Sequence, residues 1–141
     1  WCEPVALLGE VRRVLRPGGL LAVYDHHLAG RMEDTPGFDA WYAAHQRRFP
    51  RASRHAKFDP ARAPAYSPVS RERFESLLPL SCEQLVLYLV SQSNVLSAVE
   101  SGRATQEGAA AELRAGLLPL FAGRASARLV YAGELDLLEA S

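Results

Sequence analysis

An α/β fold is what this sequence predicts, and three observations predict it. A helix, a Pro-Gly-Gly turn and an unbroken apolar run follow one another in the first 24 residues. Two or three helical stretches fill most of the region after residue 80. A segment of alternating apolar residues then closes the chain. Helix, turn and buried strand make half of an α/β crossover unit.

Residues 4–15 read as the first helix. Pro4 suits the first helical position, where a missing N–H costs nothing. Leu7, Leu8, Val11, Val14 and Leu15 recur at helical spacing and form an apolar stripe. Arg12, Arg13 and Arg16 gather at the negative end of the helix dipole, and Gly18 or Gly19 can take the left-handed turn that ends it. The run Leu20-Leu21-Ala22-Val23-Tyr24 has no polar alternation. It predicts a short strand buried on both faces, as in a parallel sheet covered by helices, ending at Asp25-His26-His27.

Residues 28–36 read as a loop and Gly37–Phe49 as a second helix. Pro50, Pro60, Pro64 and Pro68 among charges predict an irregular excursion over 50–70. Residues 74–80 are read as a strand, with a helix as the alternative. Ser81 and Gln84 match a capping box, so a helix starts near Cys82. Ser91-Gln92-Ser93-Asn94 interrupts the apolar pattern before another helical stretch to Ser101. Thr105 caps a helix through Leu118, which Pro119 and Gly123 end. Leu129, Tyr131, Leu135 and Leu137 alternate in a late strand over 128–138, bent at Gly133.

The bulk numbers bound the function. The chain has 141 residues, enough for one domain with a core. Hydrophobic residues make up 48% and charged residues 23%, which argues against wholesale disorder. The formal net charge is zero, so no strong attraction to nucleic acid or an anionic membrane is expected. Cys2 and Cys82 form no C-x-x-C pair and no disulfide framework, which fits a reducing, cytoplasmic setting. No apolar run approaches the roughly 18 residues of a membrane span. Residue 1 is a tryptophan and Met32 is the only methionine, so the chain is read as part of a longer product.

The stretch from Glu10 to Val23, with Glu10, Arg13, Val14, Leu15, Arg16, Pro17, Gly18 and Gly19 in an E-x-x-R-V-L-R-P-G-G pattern, resembles a segment of class I S-adenosylmethionine-dependent methyltransferases. Trp1 and the Ser91–Val95 segment resemble the small-molecule "type 11" branch of that family. In the family this pattern joins the helix after the fourth strand to the fifth strand. The resemblance implies the C-terminal part of a Rossmann-like sheet with an inserted helical lid region. It implies three stretches within one methyltransferase domain: 1–27 as helix and central strand, 28–73 as a loop-rich insertion, and 74–141 as late strands and a helical region. It also implies S-adenosyl-L-methionine as cofactor and a small-molecule methyl acceptor as partner, with Trp1 touching the methionine end of the cofactor. The glycine-rich loop and the acidic residues that hold the cofactor in this family fall before Trp1, so the isolated chain is expected to be inactive.

Candidate chemistry begins at the strand end. Asp25, His26 and His27 lie where substrate groups sit, and either histidine can serve as general base, its ordinary pKa lying near neutrality. The plainer reading makes them solvated residues. A metal site is not expected, because adjacent strand residues face opposite ways and no companion ligands stand at suitable spacing. Trp41, Tyr42 and His45 can line a pocket lid, Trp41 and His45 sharing a helix face at i, i+4; packing is the plainer role. Gln92 and Asn94 can bond a substrate or cap a helix. Tyr66 can close over a substrate. Cys82, at a helix start, can have a lowered pKa or act as a small apolar residue. Two rival functions remain: a non-catalytic remnant that binds a partner, and another α/β enzyme such as a nucleotide-dependent reductase.

Overall fold

The computed structural model describes residues 4–51 and 64–141. The elements are α1 (Pro4–Val14), β1 (Leu20–Met32), α2 (Phe38–Arg48), β2 (Tyr66–Leu80), α3 (Cys82–Val90), α4 (Ser93–Glu100), α5 (Gln106–Phe121) and β3 (Ala127–Ala140). The three strands form one sheet in the order β1-β3-β2. The Gly18 amide donates to Ala140 O, and the Glu33 amide donates to Arg128 O, each at 2.9 Å, so β3 runs antiparallel to β1. The Ser141 amide donates to Ala65 O at 3.1 Å, and further along Arg71 of β2 pairs with Asp136 of β3, so β3 runs antiparallel to β2 as well.

Two expectations about the first strand are corrected here. It is not buried on both faces: Leu20 is 55% and Tyr24 72% exposed. Nor does it stop at the Asp-His-His step, since β1 continues through the expected loop to Met32. Ladder hydrogen bonds join backbones whatever the side chains, so polar residues extend a strand wherever they face water. β2 likewise begins at Tyr66, inside the region read as irregular. It lies at a sheet edge, where Pro68 can do without a ladder donor.

The residues divide into two compact units, each built by itself. In the first, which takes in residues 4–27, 64–75 and 132–141, α1 packs Leu8, Val11 and Leu15 against Tyr66, Leu138 and Ala140. Positions 8, 11 and 15 lie along one helical line, whereas Leu7 and Val14 sit off it and are exposed. The Tyr66 hydroxyl donates to Leu8 O at 2.9 Å. Arg71 grips Asp136 with two nitrogens, at 2.6 and 3.1 Å. Arg12 donates to the Ser141 carbonyl.

The second unit takes in residues 28–51 and 76–131 of those described. Its core joins Leu28 and Met32 of β1, Phe38, Leu85 and Leu89, Leu113, Leu117 and Phe121, and Leu129 and Tyr131 of β3. α5 presents Ala109, Leu113, Leu117 and Phe121 at intervals of four, one continuous buried stripe. The capping box forms as expected: Ser81 Oγ accepts from the Gln84 amide at 3.2 Å and Gln84 Oε1 accepts from the Ser81 amide at 2.8 Å. Thr105 Oγ1 accepts from the Gly108 amide at 3.0 Å. α5 passes through Pro119 to Phe121; the stop comes from Ala122 and Gly123, at φ 48° and 77°.

Candidate functional site

Among the described residues, a cleft in each unit gathers chemistry-bearing side chains. The first lies on the sheet and has a volume of about 270 Å³. Asp25 and His27 stand two residues apart on β1 and so face the same way. They line this groove with Arg73, Phe74 and Glu75 of β2 and with Ala132, Gly133 and Glu134 of β3. Arg73 Nε donates to Glu134 Oε1 at 2.8 Å. Gly133 makes the groove possible. A methyl group there would lie 2.6 Å from the Asp25 carbonyl oxygen and would run into the Phe74 ring. Of the two histidines singled out in the sequence, only His27 lines this groove. Arg73, Phe74 and Glu134 were not singled out; they reach the site from strands far apart in the chain, and no local pattern marks them.

The second cleft has a volume of about 190 Å³ and is lined by Trp41, Ala44, His45, Arg48, Phe49, Glu112 and Leu113. Its aromatic wall is a local product of α2. The Trp41 and His45 rings, one turn apart, stack at 6° with centroids 5.8 Å apart. Phe49 follows one turn later, its ring 5.4 Å from that of His45. Phe38 packs on Trp41 and on Tyr42, at 5.6 and 6.1 Å. Arg48 Nε lies 3.3 Å from Glu112 Oε1 of α5.

His45 is 5% exposed, and neither of its ring nitrogens has a hydrogen-bond partner among the described residues. A buried polar group in that state costs about 1–3 kcal/mol. Burial holds its pKa below the ordinary histidine value; Glu112 pulls it back up and Arg51 pushes it further down. The imidazole is therefore neutral at physiological pH, with one N–H donor and one acceptor.

The other candidates have structural partners. Tyr42 covers Gly30, whose φ is 71°; a methyl group at Gly30 would lie 2.7 Å from the Tyr42 ring. The Tyr42 hydroxyl accepts from Arg51 at 3.4 Å, and burial pushes its pKa up. Asn94 is buried and donates to Phe49 O at 2.7 Å, fixing the end of α2. Gln92 Nε2 donates to Tyr88 O at 3.3 Å. Tyr66 is a core residue of the first unit. Cys82 follows the plainer of its two readings: it is half-buried against the core of the second unit, and burial, with Glu83 beside it, pushes the thiol pKa up, not down. Trp1 lies outside the described residues. No three His, Cys, Asp or Glu side chains among the described residues come together to hold a metal ion. No helix among them is long and apolar enough to cross a membrane.

The fold has a solved counterpart. Over 99% of its length the chain superposes on the structure of a candidate type II methyltransferase from Anaeromyxobacter dehalogenans, with a TM-score of 0.62 and 18% identity. The chain covers 59% of that structure's length. At this identity the likeness is one of fold. No family model matches the sequence. No curated protein matches it either.

Proposed function

We propose that this chain serves S-adenosylmethionine-dependent methyl transfer to a small molecule in the cytoplasm, as the acceptor-binding portion of a longer protein. The observation that carries the reading is the fold likeness to a candidate methyltransferase along nearly the whole chain. The E-x-x-R-V-L-R-P-G-G resemblance between Glu10 and Gly19 supports it independently. Neither the sheet groove, of about 270 Å³, nor the α2 cleft, of about 190 Å³, is lined by a glycine-rich loop at a helix N-terminus. Cofactor binding is accordingly not placed in either cleft.

What this chain supplies is the acceptor's side. In the sheet groove Asp25 and Arg73 offer an acceptor and a donor to orient a polar molecule, and Phe74 gives it an apolar floor. His27, exposed on the same face as Asp25, takes the proton of an acceptor hydroxyl or amine. The zero net charge gives no strong attraction to nucleic acid or an anionic membrane.

A second reading, a partner-binding module without catalysis, is favoured by the exposed Leu7, Val14, Leu20, Tyr24 and Val69 of the first unit. One experiment separates the two. The product of the complete reading frame containing this chain is titrated with S-adenosylmethionine by calorimetry and assayed for transfer of a labelled methyl group to a panel of small alcohols and amines. The expected result is binding, transfer, and a loss of about 100-fold in kcat for His27→Gln. Absence of cofactor binding by the complete product overturns the enzyme reading and leaves the partner-binding one.

A further inference from the structure

We propose that the sheet groove selects a small organic cation, an ammonium group on an apolar body, over a neutral alcohol or an acid of the same shape. Its role as the methyl-acceptor site rests on the reading above; the binding itself does not. Every residue that lines it belongs to the first unit.

The lining charges set the selectivity. Asp25, Glu75 and Glu134 are carboxylates, and Arg73 is the one lysine or arginine among the described residues that line the groove. Arg73 Nε donates to Glu134 at 2.8 Å, so these two charges largely cancel for a molecule in the groove. Glu75 takes part in another interaction, and the balance does not depend on it. Asp25 still leaves the groove negative, with no compensating lysine or arginine among its lining residues. The chain as a whole has zero net charge. Salt screens charges over about 8 Å, so a bound ion responds to the groove and not to that average.

The walls set the rest. Phe74 is 39% exposed, and with Ala132 it gives the groove an apolar surface. A phenyl ring attracts a cation held within about 6 Å of its centroid and an apolar body by contact, so one side chain serves both halves of such a molecule. An alcohol gains the contact without the charge. A carboxylate gains it against the repulsion of Asp25. Gly133 keeps this surface in place: it is buried against Phe74, and a methyl group there would collide with the ring and with the Asp25 carbonyl oxygen. An acidic residue of β1 and an aromatic residue of β2 thus meet across a step of β3 that has no side chain.

Benzylammonium is the probe, with benzyl alcohol as its neutral isostere and benzoate as the anion. Each is titrated through the millimolar range into the full 141-residue chain, without cofactor, at about pH 8, above the ordinary histidine range. The amide resonances of Ala132, Gly133 and Glu134 report binding in the groove. We expect benzylammonium to bind at least tenfold more tightly than benzyl alcohol, benzoate to bind most weakly, and the preference to shrink as salt is raised. Asp25→Asn, which removes the charge and keeps the shape, should cut the preference at least threefold. Equal binding of the ammonium and the alcohol by the unaltered chain overturns the proposal without reference to any variant. So does a preference left whole in Asp25→Asn, or resonance shifts that miss these three amides. Methyl transfer by the complete product to alcohols and never to amines would also overturn it, while leaving the methyl-transfer reading in place.

Discussion

His45 sets an acid limit on the fold. The unfolded chain binds a proton at this position near pH ~6.5, but burial lowers the pKa in the folded state. The charges near it are Arg51, which lowers its pKa, and Glu112 of α5, which raises it; Arg48 is paired with Glu112, and the Tyr42 hydroxyl is neutral. As pH falls below about 6.5 the unfolded state takes up the proton first, so stability declines until the folded-state pKa is passed and then stops declining. Urea midpoints measured from about pH 7 to about pH 5 should therefore fall more steeply for the unaltered chain than for His45→Phe. Equal slopes would sink the claim, because the exposed His26 and His27 are common to both proteins. This residue was half legible in the sequence. Its i, i+4 relation to Trp41 put both on one helix face, and the rings do stack there. Its neighbour Glu112 was not legible, since it arrives from α5 and nothing in the local pattern points to it.

Elements whose ends are marked by specific residues were read well; those defined by sheet pairing were not. Ser81 with Gln84 and Thr105 with Gly108 fix helix starts by side-chain hydrogen bonds, which depend on residues three apart. Strand ends depend on a partner strand. β1 was cut short at its polar step and β2 was read as beginning late, because apolarity marks burial and both strands are widely exposed. In β3 the alternation was read through Leu135 and Leu137, which are half-buried. The structure buries Asp136, Leu138 and Ala140 instead, Leu138 and Ala140 in the core of the first unit and Asp136 in its pair with Arg71. Gly133 tests the pairing directly. The Asp25 carbonyl oxygen lies 2.6 Å from where a Cβ would stand, and a backbone atom held in a sheet cannot swing aside as a side chain can. Gly133→Ala should cost about 1–3 kcal/mol in urea unfolding. A variant within 0.5 kcal/mol of the parent, the range of ordinary surface changes, would show that β1 and β3 part easily at this point.

Charge and exposed apolar surface together govern the chain in solution. The formal net charge is zero and the pI is near 7.1, so no long-range repulsion keeps copies apart at neutral pH. Leu20 and Tyr24 are exposed on β1, as are Val69, Leu77 and Leu78 on β2, and both strands are sheet edges among the described residues. Concentration-dependent self-association should appear in sedimentation velocity near pH 7 and weaken at least tenfold in the double variant Leu20→Lys, Tyr24→Lys. A monomer at all concentrations would mean that these side chains are harmless where they stand. The way the two units share strands carries a practical consequence. The chain leaves one unit for the other in the middle of β1, of β2 and of β3. Neither unit is a contiguous stretch that a stop codon or an excised fragment can isolate. Nested deletions would cut through both at once, and an activity lost in such a series could not be assigned to either. Only point substitutions, such as those at His27 and His45, can tell the two clefts apart.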